Sequence, residues 1–276
     1  MLRRIATRVG EIAVSVEGDQ ASPPLVLLHS VAHDHHDFDA IVASLRRTHR
    51  TIALDWPGHG ESAMPDDPSS TRVETLWTAL DDVIDALSLP PAVFLGNSVG
   101  GGAGVHLAAT RPERVKGLVL VDSSGFTQVS AVSRAACWVQ GRELVRRSTG
   151  KAFARWYLKE RGPLVDAVLA RIDANRAREG FFAVDAAVWR SFGTPVNDLR
   201  QIARTVRTPT LLVWGAHDPV LPANRDGAEA RAALPHAQWV ELDTGHAPFV
   251  EKPDAFLAAM VPFLQSLERH RNVITP

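Results

Sequence analysis

Short apolar runs alternate with helix-length segments along almost the whole chain, and this rhythm restricts the fold more than any other feature. Ile12 to Val16 alternates apolar and polar residues, the pattern of a half-exposed strand. Leu25–Leu28 is a continuous apolar run, as a central parallel strand requires, and Thr51–Leu54, Ala92–Leu95, Leu118–Val121, Thr210–Trp214 and Gln238–Leu242 follow it. Helical patterns fall between these runs at Phe38–Arg47, Val73–Leu87, Val99–Ala109, Arg225–Ala233 and Pro253–Glu268. Such alternation implies an α/β architecture, a doubly wound, mostly parallel sheet with helices on both faces.

One stretch breaks the rhythm. From Gly125 to Arg200 no strand pattern occurs, and helical periodicity is punctuated by Gly141, Gly150, Gly162-Pro163, Gly180 and Gly193-Thr194-Pro195. The expected division is therefore a core of residues 1–124 and 201–276 with a helical cap at 125–200 inserted between two strands. Most aromatic residues of the insertion form its own core. Trp138, Trp156 and Trp189 are the ones expected to face the space above the sheet and line an apolar pocket.

Composition narrows the partners. With 276 residues, 45% hydrophobic, and a net charge of −1, the chain can bury a large core and gives no electrostatic footprint for nucleic acid or an acidic membrane. Local basic pairs, Arg46-Arg47 and Arg146-Arg147, read as solvated helix faces. The single cysteine, Cys137, excludes an intrachain disulfide and a multi-cysteine metal site; in the helical stretch Ser133 to Val145 it reads as a small buried hydrophobe. The N-terminal Met1-Leu2-Arg3-Arg4-Ile5 lacks an apolar signal-peptide core, and no run approaches bilayer-spanning length, so a cytoplasmic location and a small-molecule substrate are expected, with oligomeric state left open.

The chemistry starts at Gly96-Asn97-Ser98-Val99-Gly100. It lies between the strand Ala92–Leu95 and a helix that opens Gly101-Gly102-Ala103-Gly104. A serine on a sharp strand-to-helix turn, flanked by small residues, has the layout of a nucleophile elbow. A serine hydroxyl is almost wholly protonated at neutral pH, so it needs a histidine to take its proton and an acid to orient that histidine. In a doubly wound sheet such partners belong just beyond the carboxyl ends of later strands. Asp218 follows the strand ending at Trp214, and His246 follows the strand ending at Leu242. Asp122, after Leu118–Val121, is the rival acid and reads as a hydrogen-bonding brace for loops. Backbone N–H groups of Val99 and of Val31, in the loop after Leu25–Leu28, are the candidate oxyanion donors.

With those parts in place the chain resembles an α/β-hydrolase over nearly its whole length. The matching pieces are His29 and its loop, Asp55-Trp56-Pro57-Gly58-His59-Gly60-Glu61-Ser62, the elbow at Ser98, Gly215 to Asp218, and Gly245-His246. The resemblance implies an eight-stranded sheet, a hydrolytic Ser-His-Asp triad, a helical cap and no cofactor. Relatives mostly carry glycine where Ser30 stands; serine there is similar to some enol-lactone hydrolases. Asn97 resembles the elbow of hydrolases that cleave carbon–carbon bonds in ring-fission products, but those carry tryptophan where Ala247 stands.

The run His33-Asp34-His35-His36-Asp37 has metal-ligand residue types, yet neighbours in a turn diverge, so it reads as a polar loop with an aspartate capping the next helix. His33 or His36 then becomes a wall of the pocket, together with His29, Ser30, Asn97 and Ala247, while His59, His217 and His236 read as loop or surface residues. The expected function is hydrolysis of small to medium carboxylic esters through an acyl-enzyme. The alternatives are an enol-lactone or C–C bond hydrolase and, in another class, a non-catalytic small-molecule receptor on the same fold.

Overall fold

The computed structural model describes residues 1–273. Strands β1 (Leu2–Thr7), β2 (Gly10–Glu17), β3 (Pro24–Leu28), β4 (Arg50–Leu54), β5 (Ala92–Asn97), β6 (Val115–Val121), β7 (Thr210–Gly215) and β8 (Gln238–Leu242) form one eight-stranded sheet in the order β1-β2-β4-β3-β5-β6-β7-β8. Strands β3 to β8 run parallel, while β2 pairs antiparallel with β4 and β1 antiparallel with β2. This is the doubly wound sheet expected from the alternating pattern. Strand β1 is the element the pattern did not reveal. Its Leu-Arg-Arg-Ile-Ala-Thr sequence is mostly exposed and pairs only along the sheet edge, so no apolar alternation marks it.

The helices are α1 (Asp39–Leu45), α2 (Val73–Ala86), α3 (Val99–Thr110), α4 (Ala131–Gln140), α5 (Glu143–Tyr157), α6 (Pro163–Arg176), α7 (Phe181–Phe192), α8 (Arg200–Ala203), α9 (Ala228–Ala233), α10 (Pro248–Glu251) and α11 (Pro253–Val273). Because successive strand residues point to opposite faces, each central strand feeds two cores. Val26, Leu28, Phe94, Leu118 and Leu120 pack with α2, α3 and α9. Leu25, Leu27, Val93, Leu95, Val119 and Val121 pack with α1, α10 and α11. Burial on both faces is why these strands read as unbroken apolar runs. Helix α9 starts later than the expected Arg225, because Ala223–Gly227 first makes a π turn.

Between β6 and β7 the chain passes through α4 to α8. A reciprocal Ser130–Ser133 capping box opens α4, with Ser133 N–H donating to Ser130 Oγ at 3.1 Å and Ser130 N–H to Ser133 Oγ at 2.7 Å. The helix expected from Ser133 to Val145 is instead broken at Gly141, where α7 comes so close that a Cβ would lie 2.2 Å from Arg190 Cγ. Among the described residues no helix is long and apolar enough to cross a membrane.

The turn after β4 is braced by Asp55, which is fully buried. Its carboxylate accepts from the His35 N–H at 2.7 Å, the Glu61 N–H at 2.8 Å and His35 Nδ1 at 2.9 Å, and its carbonyl accepts from Ser62 Oγ at 2.7 Å. Burial would raise its pKa, but the His35 hydrogen bond and the nearby imidazoles outweigh that and hold it below the usual carboxylate range. Removing this acceptor strands two buried donors of His35 and the partly buried Glu61 N–H. Asp55→Ala is therefore expected to cost about 3 kcal/mol or more. The loss is read as a lower urea midpoint with unchanged slope, and a wild-type midpoint would contradict the assignment.

Candidate active site

Ser98 sits between β5 and α3 with φ 53° and ψ −117°, a conformation unfavourable for any residue with a side chain. The surrounding glycines make the turn sterically feasible. A Cβ on Gly96 would lie 2.3 Å from the Gly100 carbonyl, and one on Gly100 would lie 2.3 Å from the Leu28 carbonyl oxygen. Hydrogen bonds lock the strained residue on both sides: Ser98 N–H donates to Val121 O at 3.0 Å, and Ser124 N–H donates to Ser98 O at 2.9 Å. Helix α3 begins at Val99, whose N–H lies in the first turn, beyond the reach of any helical carbonyl.

Asp218 and His246 meet at the carboxyl ends of β7 and β8. His246 Nδ1 and Asp218 Oδ2 are 2.7 Å apart, and both residues are buried. The carboxylate only accepts, so Nδ1 carries a proton, and Nε2 is the nitrogen left for other partners. The other Asp218 oxygen accepts from the Val220 N–H at 2.8 Å and the Leu221 N–H at 3.2 Å. Burial pushes its pKa up, but the His246 imidazole and these donors outweigh burial and hold it below the usual carboxylate range. The His246 loop is pinned by its own backbone: its N–H donates to Tyr157 O at 2.9 Å and its carbonyl accepts from Asn97 Nδ2 at 3.0 Å.

Asp122, the rival acid, takes no place at His246 Nδ1. It is fully buried with φ 42°, and its Oδ1 accepts from the Gly215 N–H at 2.9 Å. Ligand atoms of Asp122, Asp218 and His246 all lie within 4.8 Å of one another. Burial and the adjacent Asp218 charge push the Asp122 carboxyl well above the usual range, and its Oδ2 is buried without a hydrogen-bond partner.

Ser98 and His246 open on one cavity of about 540 Å³. Ser30, Val31, Phe153, Tyr157 and Trp189 are among its walls. In the loop after β3 the left-handed residue is Ala32, at φ 69°, and not Ser30, so this loop has no need of glycine at position 30. Tyr157, absent from the sequence candidates, packs edge-on against the His246 ring at 5.4 Å, and its hydroxyl is hydrogen-bonded with His33 Nε2 at 2.6 Å. An aromatic residue one turn after Phe153 on a cap helix was the only available signal for it.

Several expected pocket residues lie elsewhere. Trp138 and Trp156 are each 58% exposed, because α4 and α5 turn those positions to solvent; Trp189 alone of the three reaches the cavity. His29 is buried beneath the loop, donating from Nδ1 to Ser30 O at 2.6 Å and accepting from the Trp56 N–H at 3.0 Å. His33 stands behind Tyr157 with Asp37 on its Nδ1, Asn97 ties β5 to the His246 loop, and Ala247 is buried among α10 and α11 side chains. The His33–Asp37 run divides among separate partners: His35 bonds Asp55, exposed His36 bonds Asp39, and Asp34 bonds Arg171. His59 is in a loop but fully buried, while His217 and His236 are exposed. Cys137 is half-buried and borders the cavity instead of filling a core. Arg146 is only 3% exposed and also lines the cavity, unlike Arg147, so the basic pair is not a solvated face.

A family model described as the alpha/beta hydrolase fold matches residues 23–253. The chain belongs to the α/β hydrolase family. This α/β hydrolase is 31% identical over 268 residues to the pimeloyl-[acyl-carrier protein] methyl ester esterase of Xanthomonas campestris pv. campestris, covering 89% of this chain and 96% of that protein. It is 24% identical to 3-oxoadipate enol-lactonase 1 of Acinetobacter baylyi, over 96% of this chain and 97% of that one. In three dimensions it is similar to the enol-lactonase from Burkholderia xenovorans, with TM-score 0.82, 25% identity, and coverage of 95% and 100% of the two chains.

The Asp122 carboxyl yields a test with a defined sign. Its folded pKa is raised, so the stability it contributes is fully present below the ordinary value of 3.8 and is lost as pH rises through the raised value. Asn tolerates the left-handed backbone and cannot ionise beside Asp218. Asp122→Asn is expected to match wild type in acid and to become the more stable protein as pH climbs. Thermal unfolding across pH checks this, and parallel curves for the two proteins would contradict it.

Proposed function

We propose that this α/β hydrolase is a serine ester hydrolase in which Ser98 is the nucleophile, His246 the general base and acid, and Asp218 the group that orients His246. The reading is carried by one observation above all: the 2.7 Å Asp218–His246 hydrogen bond engages Nδ1 and fixes the ring of a histidine that borders the cavity Ser98 also lines. In the first half-reaction the Ser98 hydroxyl proton passes to His246 Nε2 as Oγ bonds the acyl carbon. The alcohol oxygen then leaves with that proton. Water, losing a proton to the same nitrogen, releases the acid and restores Ser98. The N–H groups of Val31 and Val99 are assigned to the oxyanion, and Asp122 to holding the end of β7 at Gly215, ahead of the Asp218 turn.

Residues 125–200 are proposed as the cap that closes the cavity over the core of 1–124 and 201–276. A volume of about 540 Å³ and a wall containing Phe153 and Trp189 suit a small to medium acyl group. A lactone is the second reading, supported by the similarity to an enol-lactonase as well as to a methyl ester esterase. Both reactions begin with the same attack on an acyl carbon. Ala247 in place of a tryptophan gives C–C cleavage no support.

Short p-nitrophenyl esters test the assignment. Ser98→Ala is expected to lower kcat/KM by at least about 10³-fold, and Asp218→Asn by about 10⁴-fold through the wrong histidine tautomer. A fluorophosphonate probe should label Ser98. Label on another residue, or equal rates for wild type and Ser98→Ala, would overturn the mechanism. Ligand-induced stabilisation with no turnover of any ester or lactone would favour a receptor.

A further inference from the structure

Helix α5 inverts the usual arrangement of its side chains. Leu144 is 78% exposed, whereas Arg146, two residues on, is 3% exposed. A guanidinium leaves water only where other groups replace its hydration. Asp185 of α7 accepts from Nε at 2.7 Å and Gln140 accepts from Nη1 at 3.0 Å. The guanidinium carbon lies 5.2 Å from the centre of the Phe153 ring and 4.9 Å from that of Trp189. Nη2 donates to no group among the described residues, and the side chain borders the cavity of Ser98 and His246.

A second cation stands beside it. Arg176 of α6 lines the same cavity, and its two terminal nitrogens donate to the carbonyls of Arg146 and Arg147, each at 3.1 Å. Among the described residues no carboxylate pairs with it. Of the two arginines on this wall only Arg146 is paired with a carboxylate among the described residues, that of Asp185, whose other oxygen, Oδ1, is buried and unpartnered. The remaining charged groups at the cavity are already matched, Arg225 by Asp226 and Glu229 by Arg200. A purely structural ion pair would need one arginine and one aspartate. The second cation and the open Nη2 exceed that need, and in a partly apolar cavity they create a net positive wall.

We propose that this Arg146–Arg176 wall is a carboxylate subsite, so that the ester or lactone cleaved at Ser98 carries a second, free carboxylate away from its scissile carbonyl. The proposal rests on the hydrolase reading above and narrows it to a substrate class. A planar monoanion suits the open edge of one guanidinium. It also neutralises the surplus charge, whereas a phosphate dianion would overshoot it. The apolar surfaces of Phe153 and Trp189 beside the subsite then take the hydrocarbon part of the same molecule.

The experiment compares p-nitrophenyl half-esters of short diacids with p-nitrophenyl alkanoates of equal chain length, and 4-carboxyphenyl acetate with phenyl acetate. Wild type is expected to favour the carboxylate-bearing member of at least one pair by about 10-fold or more in kcat/KM, the scale of one buried charge-assisted hydrogen bond. Arg176→Gln should lose that preference while still cleaving the neutral ester. The double variant Arg146→Leu/Asp185→Leu, which leaves no unpaired buried charge, should lose it too. Equal rates within both pairs, or a preference that survives in both variants, would overturn the subsite while leaving the hydrolase reading intact. Cleavage of neither ester would strike the hydrolase reading instead. Binding then decides the subsite alone: glutarate or adipate should raise the Tm of wild type and not of Arg176→Gln, and no rise in wild type would overturn it.

Discussion

The contact on which the rest of the molecule depends is the approach of α3 to β3, where Gly100 lies against the Leu28 carbonyl with no room for a Cβ. That approach sets the helix N-terminus directly under the turn at Ser98. The positive φ at Ser98 is tolerated because the neighbours overdetermine it: Val121 and Ser124 hold its backbone, and Gly96 yields space on the other side. Packing energy from two apolar layers is thus converted at one point into a fixed, strained serine.

The same logic extends across the carboxyl edge of the sheet. Asp122 bonds the end of β7, Asn97 of β5 bonds the carbonyl of His246, and Asp218 bonds the ring of His246. Each link joins the end of one strand to the loop after another. Every residue of the candidate triad is therefore held by at least one neighbour from a different strand, as positioning within a fraction of an ångström demands.

How much of this was legible beforehand depended on what kind of physics left a trace in the sequence. Strands buried on both faces must be apolar throughout, so β3 to β7 were readable, whereas the solvent-facing β1 had nothing to write. Ser98, Asp218 and His246 were readable as candidates because each stands just past a strand, and strand ends in a parallel sheet share one edge. The cap was less transparent. Adjacent residues on a helix point about 100° apart, and which side of α4 or α5 faces the cavity is decided by how those helices lie on the sheet. Trp138 and Trp156, apolar and exposed, and Arg146, charged and buried, all defeat a rule based on residue type. Asn97 and His29 were misplaced for a related reason: polarity marked them as important, but not whether they touch a ligand or hold the groups that do.

The backbone of His246 is attached to the inserted helices as well as to the sheet. Its N–H rests on the carbonyl of Tyr157, and Glu251 gathers the N–H groups of Gly245, Ala247, Lys159 and Glu160. The far end of α5 is in this way riveted to the histidine loop. If the inserted helices swung away as one piece, they would carry His246 out of register with Ser98. The other end of the insertion is packed less deeply: α4 has no buried residue, and Val132 and Ser133 line the cavity. The pinned part of this wall and its lightly packed part belong to the same polypeptide segment, less than thirty residues apart.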